Sequence, residues 1–407
     1  MKSKILLLLL PLFVFAQGNI FSNIPPAKIE VININPEFCD ESCLFELSNN
    51  KKIFSFVARF DKSIQNKELQ NLMEIYSSEI GIYYKLRFDP LGKTLEIALL
   101  IPKKIIGKYS TTTIDTILAY LLSRDIDFRF KIFDSVDENL DSLNATIEKI
   151  NNEHFNFVVA VLSKKESLEA LDSIDIPIYI PTMTNKDIQA KSNIVFGGID
   201  YELQVQTLIN QEDGGITIIY NDDSSLGRQL GEITKSLSKF VFIEDTITNR
   251  IAANFSQNLE REEMFLAGSN VFLNTPVVKS GLLLSQIGIS SEKPNNILST
   301  QVNFNPALLS LIRGNDTSNI LIVSSIGDTN QKLIEYGLLL TSDMKYDWVN
   351  YSTALGVDLF LSNMSQDIEK YFVESFDKNQ AIYNISLYRI HNGIFVKLDE
   401  DEIKKVE

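Results

Sequence analysis

Two stretches decide the fold: Leu95 to Ile101 (LEIALLI) and Phe155 to Leu162 (FNFVVAVL). Neither alternates apolar and polar residues as a half-buried strand does. Both are apolar almost throughout, the pattern of a strand covered on both faces. Between them the periodicity predicts a helix over Thr113–Ser123, a strand over Phe128–Phe133 and a helix over Leu143–Ile150. After them come a helix over Ser167–Leu171 and short strands at Pro177–Ile180 and Asn193–Phe196. Buried strands alternating with helices mean a parallel sheet with helices on both sides, and right-handed crossovers make it doubly wound.

The rhythm then starts again. A helix over Asp200–Asn210 leads through Gly214-Gly215 to a strand at Ile216–Tyr220 and a helix at Ser225–Leu237. Next are expected strand Phe240–Glu244, helix Asn249–Gln257, strand Met264–Ala267 and helix Pro276–Gln286. Strand Asn296–Gln301, helix Pro306–Arg313, strand Ile320–Ser324 and a hairpin over Tyr383–Asp399 follow, with His391-Asn392-Gly393 as its turn. The expectation is an α/β protein of two doubly wound parallel-sheet lobes over residues 93–407, with a cleft between them. A small unit over residues 17–92 precedes it, ending at Asp89-Pro90-Leu91-Gly92. Within that unit Ile53–Phe60 (IFSFVARF) alternates like a strand, and Lys67–Ile80 has helical spacing.

Residues 1–16 read as a secretory signal peptide. Lys2 and Lys4 precede the apolar run Ile5–Ala16, too short for a membrane span, with small residues before a cleavage point at Gln17. No membrane span is expected after cleavage, and the implied location is the bacterial periplasm. In that compartment Cys39 and Cys43 are expected to pair, closing a local loop. The 407 residues carry 38 Lys+Arg against 53 Asp+Glu, a net charge of -15, which disfavours a phosphate backbone as partner. Only 2 His and 2 Cys are present, little material for a metal site or a His-based triad. Neither a G-x-S-x-G elbow nor a G-x-x-x-x-G-K-[ST] loop occurs, and the acidic stretch Asp134–Asp141 lacks the Gly and terminal Glu of a calcium loop. No enzyme activity, cofactor or metal is expected.

The order of segments resembles the type I periplasmic binding-protein superfamily across Leu95–Asp399. The segments that carry it are IALLIP, FVVAVL, IPIYIP, IVFGGIDYELQVQTLI and ITIIYNDDSSLGRQL. YSTALGVDLFLSNM and ISLYRIHNGIFVKL look closest to the binding-protein-like domain of the lipoprotein activator of class A penicillin-binding proteins. The superfamily implies a bilobal, Leu-binding-protein-like domain. Its amino-acid-binding members have a Gly-rich loop after the first strand and a small-residue Ser/Thr loop after the third. Here those loops read PKKIIGKYSTTT and SKKES, and Leu226 replaces the aromatic before the Gly of ITIIYNDDSSLG.

In doubly wound sheets ligands sit beyond the carboxyl ends of the strands. The candidate cleft residues are therefore Lys103, Lys104, Ser163, Lys164, Thr182, Thr184, Asp222, Asp223, Ser299, Thr300 and Gln301. Lys103, Lys104 and Lys164 can clamp an anion opposite Asp222 and Asp223; the alternative is solvated loop charge with Ser224 or Ser225 capping a helix. Trp348 is either an interface anchor or a lobe-packing aromatic. Two functions stay open: a non-catalytic module binding a cell-envelope protein, and an extracytoplasmic solute-binding protein delivering an amino acid or peptide to an ABC transporter. The bulky first-lobe loops favour the first.

Overall fold

The computed structural model describes residues 31–80 and 94–399, apart from 36, 62, 108, 125, 213, 313–316, 366 and 367. The expected leader and the Asp89–Gly92 punctuation lie outside the described residues. The chain forms two compact units, the first through Phe88 and the second from Asp89.

The first unit holds helices α1 (Glu41–Asn49), α2 (Ile53–Arg59) and α3 (Lys67–Glu79). Asp40 caps α1 by accepting from the Cys43 N–H at 2.9 Å, and the Cys39–Cys43 disulfide closes over the same turn, its Cα atoms 5.3 Å apart. Ile53–Phe60, expected as a strand, is instead helical. Phe56, Val57 and Phe60 fall at i, i+1 and i+4, one helical stripe, and bury against Leu44, Leu69 and Met73. Phe54 is left outside.

The second unit opens with β1 (Leu95–Ile101), α4 (Lys103–Ile106), α5 (Tyr109–Arg124), β2 (Phe128–Asp134) and α6 (Leu140–Asn151). β3 (Phe157–Ala160), β4 (Ile178–Ile180) and β5 (Ile194–Phe196) complete the first run. The helix expected over Ser167–Leu171 forms as a 3-10 helix, Lys165–Ser173. The second lobe follows with α7 (Tyr201–Ile209), β6 (Thr217–Asp222), α8 (Ser225–Leu237), β7 (Val241–Ile247), α9 (Asn249–Ala253) and α10 (Ser256–Leu266). It continues with β8 (Asn270–Asn274), α11 (Val277–Ile287), β9 (Asn296–Ser299), α12 (Pro306–Leu311) and β10 (Ile320–Ser324). The chain then returns to the first lobe through α13 (Gln331–Leu339), α14 (Trp348–Met364), β11 (Ser375–Asp377) and β12 (Gln380–Ile382). It ends in the second with β13 (Ser386–His391) and β14 (Ile394–Lys397).

Each lobe is built on a seven-stranded sheet, in the orders β11-β12-β5-β4-β3-β1-β2 and β14-β13-β10-β9-β8-β6-β7. The sheets are mostly parallel, with antiparallel pairs at β11–β12, β10–β13 and β13–β14. The apolar strands are apolar because both faces are covered. Leu95, Ile97, Leu99 and Ile101 of β1 enter one core, while Ala98 and Leu100 enter the other. In β8, Val271 and Leu273 go one way and Phe272 the other.

Two sequence expectations need correction here. Met264–Ala267 is not a strand: Met264–Leu266 is the last turn of α10, and the strand is Asn270–Asn274, after Gly268 at φ 74°. The central position between β6 and β9 demands burial on both faces, which NVFLN meets at all five residues and exposed Met264 does not. The helix expected over Asn249–Gln257 breaks at Asn254 into α9 and α10.

The chain passes between lobes after β5, after β10 and after β12. The first and third of these pack on a buried polar cluster. Ser352 Oγ of α14 lies within hydrogen-bond distance of the carbonyls of Pro181 and Gly197, which share its one proton, and Tyr383 Oη also donates to Gly197 O.

Candidate functional site

The carboxyl ends of the first lobe's strands are tied together by the turn after β2. Asp134 Oδ1 accepts from the N–H groups of Lys103 (3.2 Å) and Val136 (2.8 Å), and Val136 O accepts from Lys104 N at 2.9 Å. Val136 sits at φ 68°, a left-handed conformation that costs a β-branched residue roughly 1–3 kcal/mol. The strained turn delivers Glu138, which is buried, into the loop after β3. Its carboxylate accepts from Ser163 N (3.0 Å), Ser163 Oγ (2.6 Å), Lys164 N (3.1 Å) and Ser167 Oγ (3.0 Å). The donors that such a loop offers to an incoming anion are thus held by a carboxylate of the same chain. Lys103, Lys104 and Lys164 remain exposed at the rim, their ammonium groups without ion pairs among the described residues. Thr182 Oγ1 donates back to Leu162 O.

The second lobe repeats this arrangement with opposite charge. Lys279, in the first turn of α11, is buried and donates to Asp222 Oδ1, Asp223 Oδ1 and, at 2.9 Å, Ile247 O. Asp222 also accepts from Ser224 N at 3.0 Å, and Ser224 caps α8 through Gly227 N. Burial pushes the Asp222 carboxyl up, yet Lys279 and Ser224 outweigh it and hold the group below its ordinary value. Burial likewise opposes the Lys279 charge, and the two aspartates outweigh it and raise that amine. Asp222 and Asp223 therefore meet a cation of their own lobe rather than Lys103, Lys104 and Lys164 of the other. Ser299 donates to Leu273 O at 2.7 Å, and Thr300 is fully buried.

Gln301 belongs to the hinge. Its N–H donates to Gln204 Oε1 of α7 at 2.9 Å, its Oε1 accepts from Ser325 N at 2.5 Å, and Gln204 Nε2 donates to Ser325 Oγ at 2.7 Å. This closed buried ring joins the first two crossovers to the end of β9. Beside α14, Tyr346 packs at a tilt on Phe304 (5.3 Å between ring centres) against the second lobe's core, while Trp348 packs on the first lobe's core. Thr184 alone of the candidate residues reaches a cavity of about 610 Å³ on the flank of the hinge. That cavity is walled by all three crossovers: Gly198–Leu203, Ser325 and Gln380–Ile385.

Sequence reasoning missed Glu138, Lys279, Gln204 and Tyr346. Lys279 left one signal, a lone cation in the otherwise uncharged run NTPVVKSGLLLS. Glu138 is one acid among several in Asp134–Asp141 and carries no local signal of its partners.

No family model and no curated protein matches the sequence. Solved structures do match in fold. The branched-chain amino acid transporter substrate-binding protein LivJ of Streptococcus pneumoniae, in complex with isoleucine, aligns at 13% identity and TM-score 0.53, covering 75% of this chain and 100% of that one. A branched-chain amino acid ABC transporter protein of Thermus thermophilus with bound valine aligns at 14% and 0.54, covering 75% and 95%. The C-domain of LpoA from Haemophilus influenzae, a regulator of PBP1A, aligns at 10% and 0.47, covering 75% and 100%. The second unit has the type I periplasmic-binding-protein fold, bilobal and Leu-binding-protein-like, as the segment order implied. Among the described residues no helix is long and apolar enough to cross a membrane.

Proposed function

We propose that the chain is an exported, non-catalytic binding-protein-like module that engages a protein partner of the bacterial cell envelope. One observation carries the reading: the Glu138 carboxylate engages Ser163, Lys164 and Ser167. A pocket for a small ligand needs a few convergent polar groups left available to it. Here the first lobe's donors answer to Glu138, the second lobe's acids answer to Lys279, and Tyr346, just before α14, packs on Phe304 of the second lobe. What stays available at the first-lobe rim is exposed lysine, suited to a second macromolecule. Export rests on the leader read in residues 1–16, and the absence of catalysis on the missing enzyme motifs.

Solute binding is the second reading. It is favoured by the hinge cavity of about 610 Å³ and by the isoleucine and valine named in the aligned substrate-binding proteins.

A photo-cross-linking residue at Lys104 or Lys164 in the exported protein separates the two. Partner binding predicts the same protein adduct from both rim positions and none from exposed Glu148 on α6. Absence of a protein adduct from both rim positions would count against the proposal.

A further inference from the structure

The hinge cavity has a chemistry of its own. Its apolar wall is Ile199, Tyr201, Leu203, Ile233, Ile382 and Ile385, and Leu203 and Ile382 are 50% and 46% exposed. Of its ionic groups Lys186 is paired with Glu202, while Asp200 caps α7 through the N–H groups of Glu202 and Leu203 and has no ion pair among the described residues. The other polar groups are neutral. The Thr184 hydroxyl and the Gln229 amide make no hydrogen bond among the described residues, and Gln206 uses only its Nε2, toward Asn210. Gln380 is held in place by Asn185 N and by the carbonyls of Gly198 and Ala381.

A free amino acid brings a carboxylate and an ammonium, each costly to desolvate without a counter-charge. The one cation of this wall, Lys186, is already held by Glu202, so the carboxylate finds no counter-charge here. A stretch of polypeptide within a longer chain brings neither charge. It brings amides, which the Gln229 amide, the Gln206 carbonyl and the Thr184 hydroxyl can meet, and aliphatic side chains, which the isoleucines can cover. We infer that the cavity receives an uncharged, apolar interior segment of the protein partner, an assignment that rests on the partner reading above. All three crossovers form the wall, so an occupant contacts every connection between the lobes at once and favours one lobe angle.

The test uses the full exported chain and three probes: acetyl-Leu-Val-Leu-amide, uncapped Leu-Val-Leu and free leucine, each titrated calorimetrically. The capped peptide should bind saturably, and the two zwitterionic probes at least tenfold more weakly. Leu203→Glu, at a half-exposed position the fold tolerates, and Gln229→Glu should each weaken the capped peptide at least tenfold with an unchanged unfolding transition. Equal binding of capped and uncapped peptide, indifference to both substitutions, or no binding of the capped peptide would each overturn the assignment. Rim cross-linking that persists without peptide binding would remove this assignment and leave the partner reading. Peptide binding without rim cross-linking would keep the cavity as a peptide site and remove the partner reading.

Discussion

Glu138 and Lys279 are buried charges that the protein supplies to its own rims, one in each lobe. Breaking such a pair by removing one member leaves the other charged and buried. Lys279→Met should therefore destabilise the second unit by roughly 3–5 kcal/mol at pH 7, read from urea unfolding. The pH dependence follows from Asp222. Its folded value lies below the ordinary 3.8, so the pair's contribution is present above that value and is lost as pH falls through the depressed one. Without Lys279 only Ser224 still opposes burial, so the Asp222 value rises from its wild-type position and the variant's deficit narrows as pH falls from 7 to 4. A deficit equal at both pH values would contradict this account. Asp222 and Asp223 were legible in the sequence as carboxylates at a strand end. Their partner was not, because Lys279 follows them by more than fifty residues and only the β6–β8 pairing brings it near.

Helix α14 crosses β4 in close contact. A Cβ on Gly356 would lie 2.1 Å from Tyr179 Cδ1, and Tyr179 is fully buried and bonded to Ser352 Oγ at 3.1 Å. The ring has nowhere to move. Gly356→Ala should cost about 1–3 kcal/mol of overpacking strain, measured by urea unfolding, and an unchanged midpoint would refute the contact. At this scale much of the fold was legible. The helix Ser225–Leu237 and the strand Ile320–Ser324 form where their patterns placed them, since a Ser cap and a five-residue apolar run have single readings. Ile53–Phe60 misled because seven or eight residues can satisfy a period of 2 and a helical stripe together, and packing on Leu44 and Leu69 chose the helix. Around Gly268 two short apolar runs competed, MFLA before it and VFL after it, and only sheet position distinguishes them. The roles of α13, α14, β11 and β12 had no local signature, because they return to a lobe begun more than a hundred residues earlier.

At the scale of the whole second unit, two sheets share three crossovers, the architecture of proteins that close on a ligand by hinge motion. The fold was readable from buried strands in repeated order. The engagement of the rims was not, since it depends on Glu138 meeting Ser163 and on Lys279 meeting Asp222, contacts between different strand-end segments. The central claim is that the rims are engaged internally and that a protein partner takes the place of a solute. Its most direct test is the unfolding temperature of the exported protein titrated with isoleucine, leucine and valine. A ligand at a hundredfold excess over its Kd stabilises the folded state by about 2.7 kcal/mol, a shift of several degrees that saturates. The account predicts no saturable shift with any of the three, and a saturable shift abolished by Lys164→Ala or Asp222→Ala would contradict it.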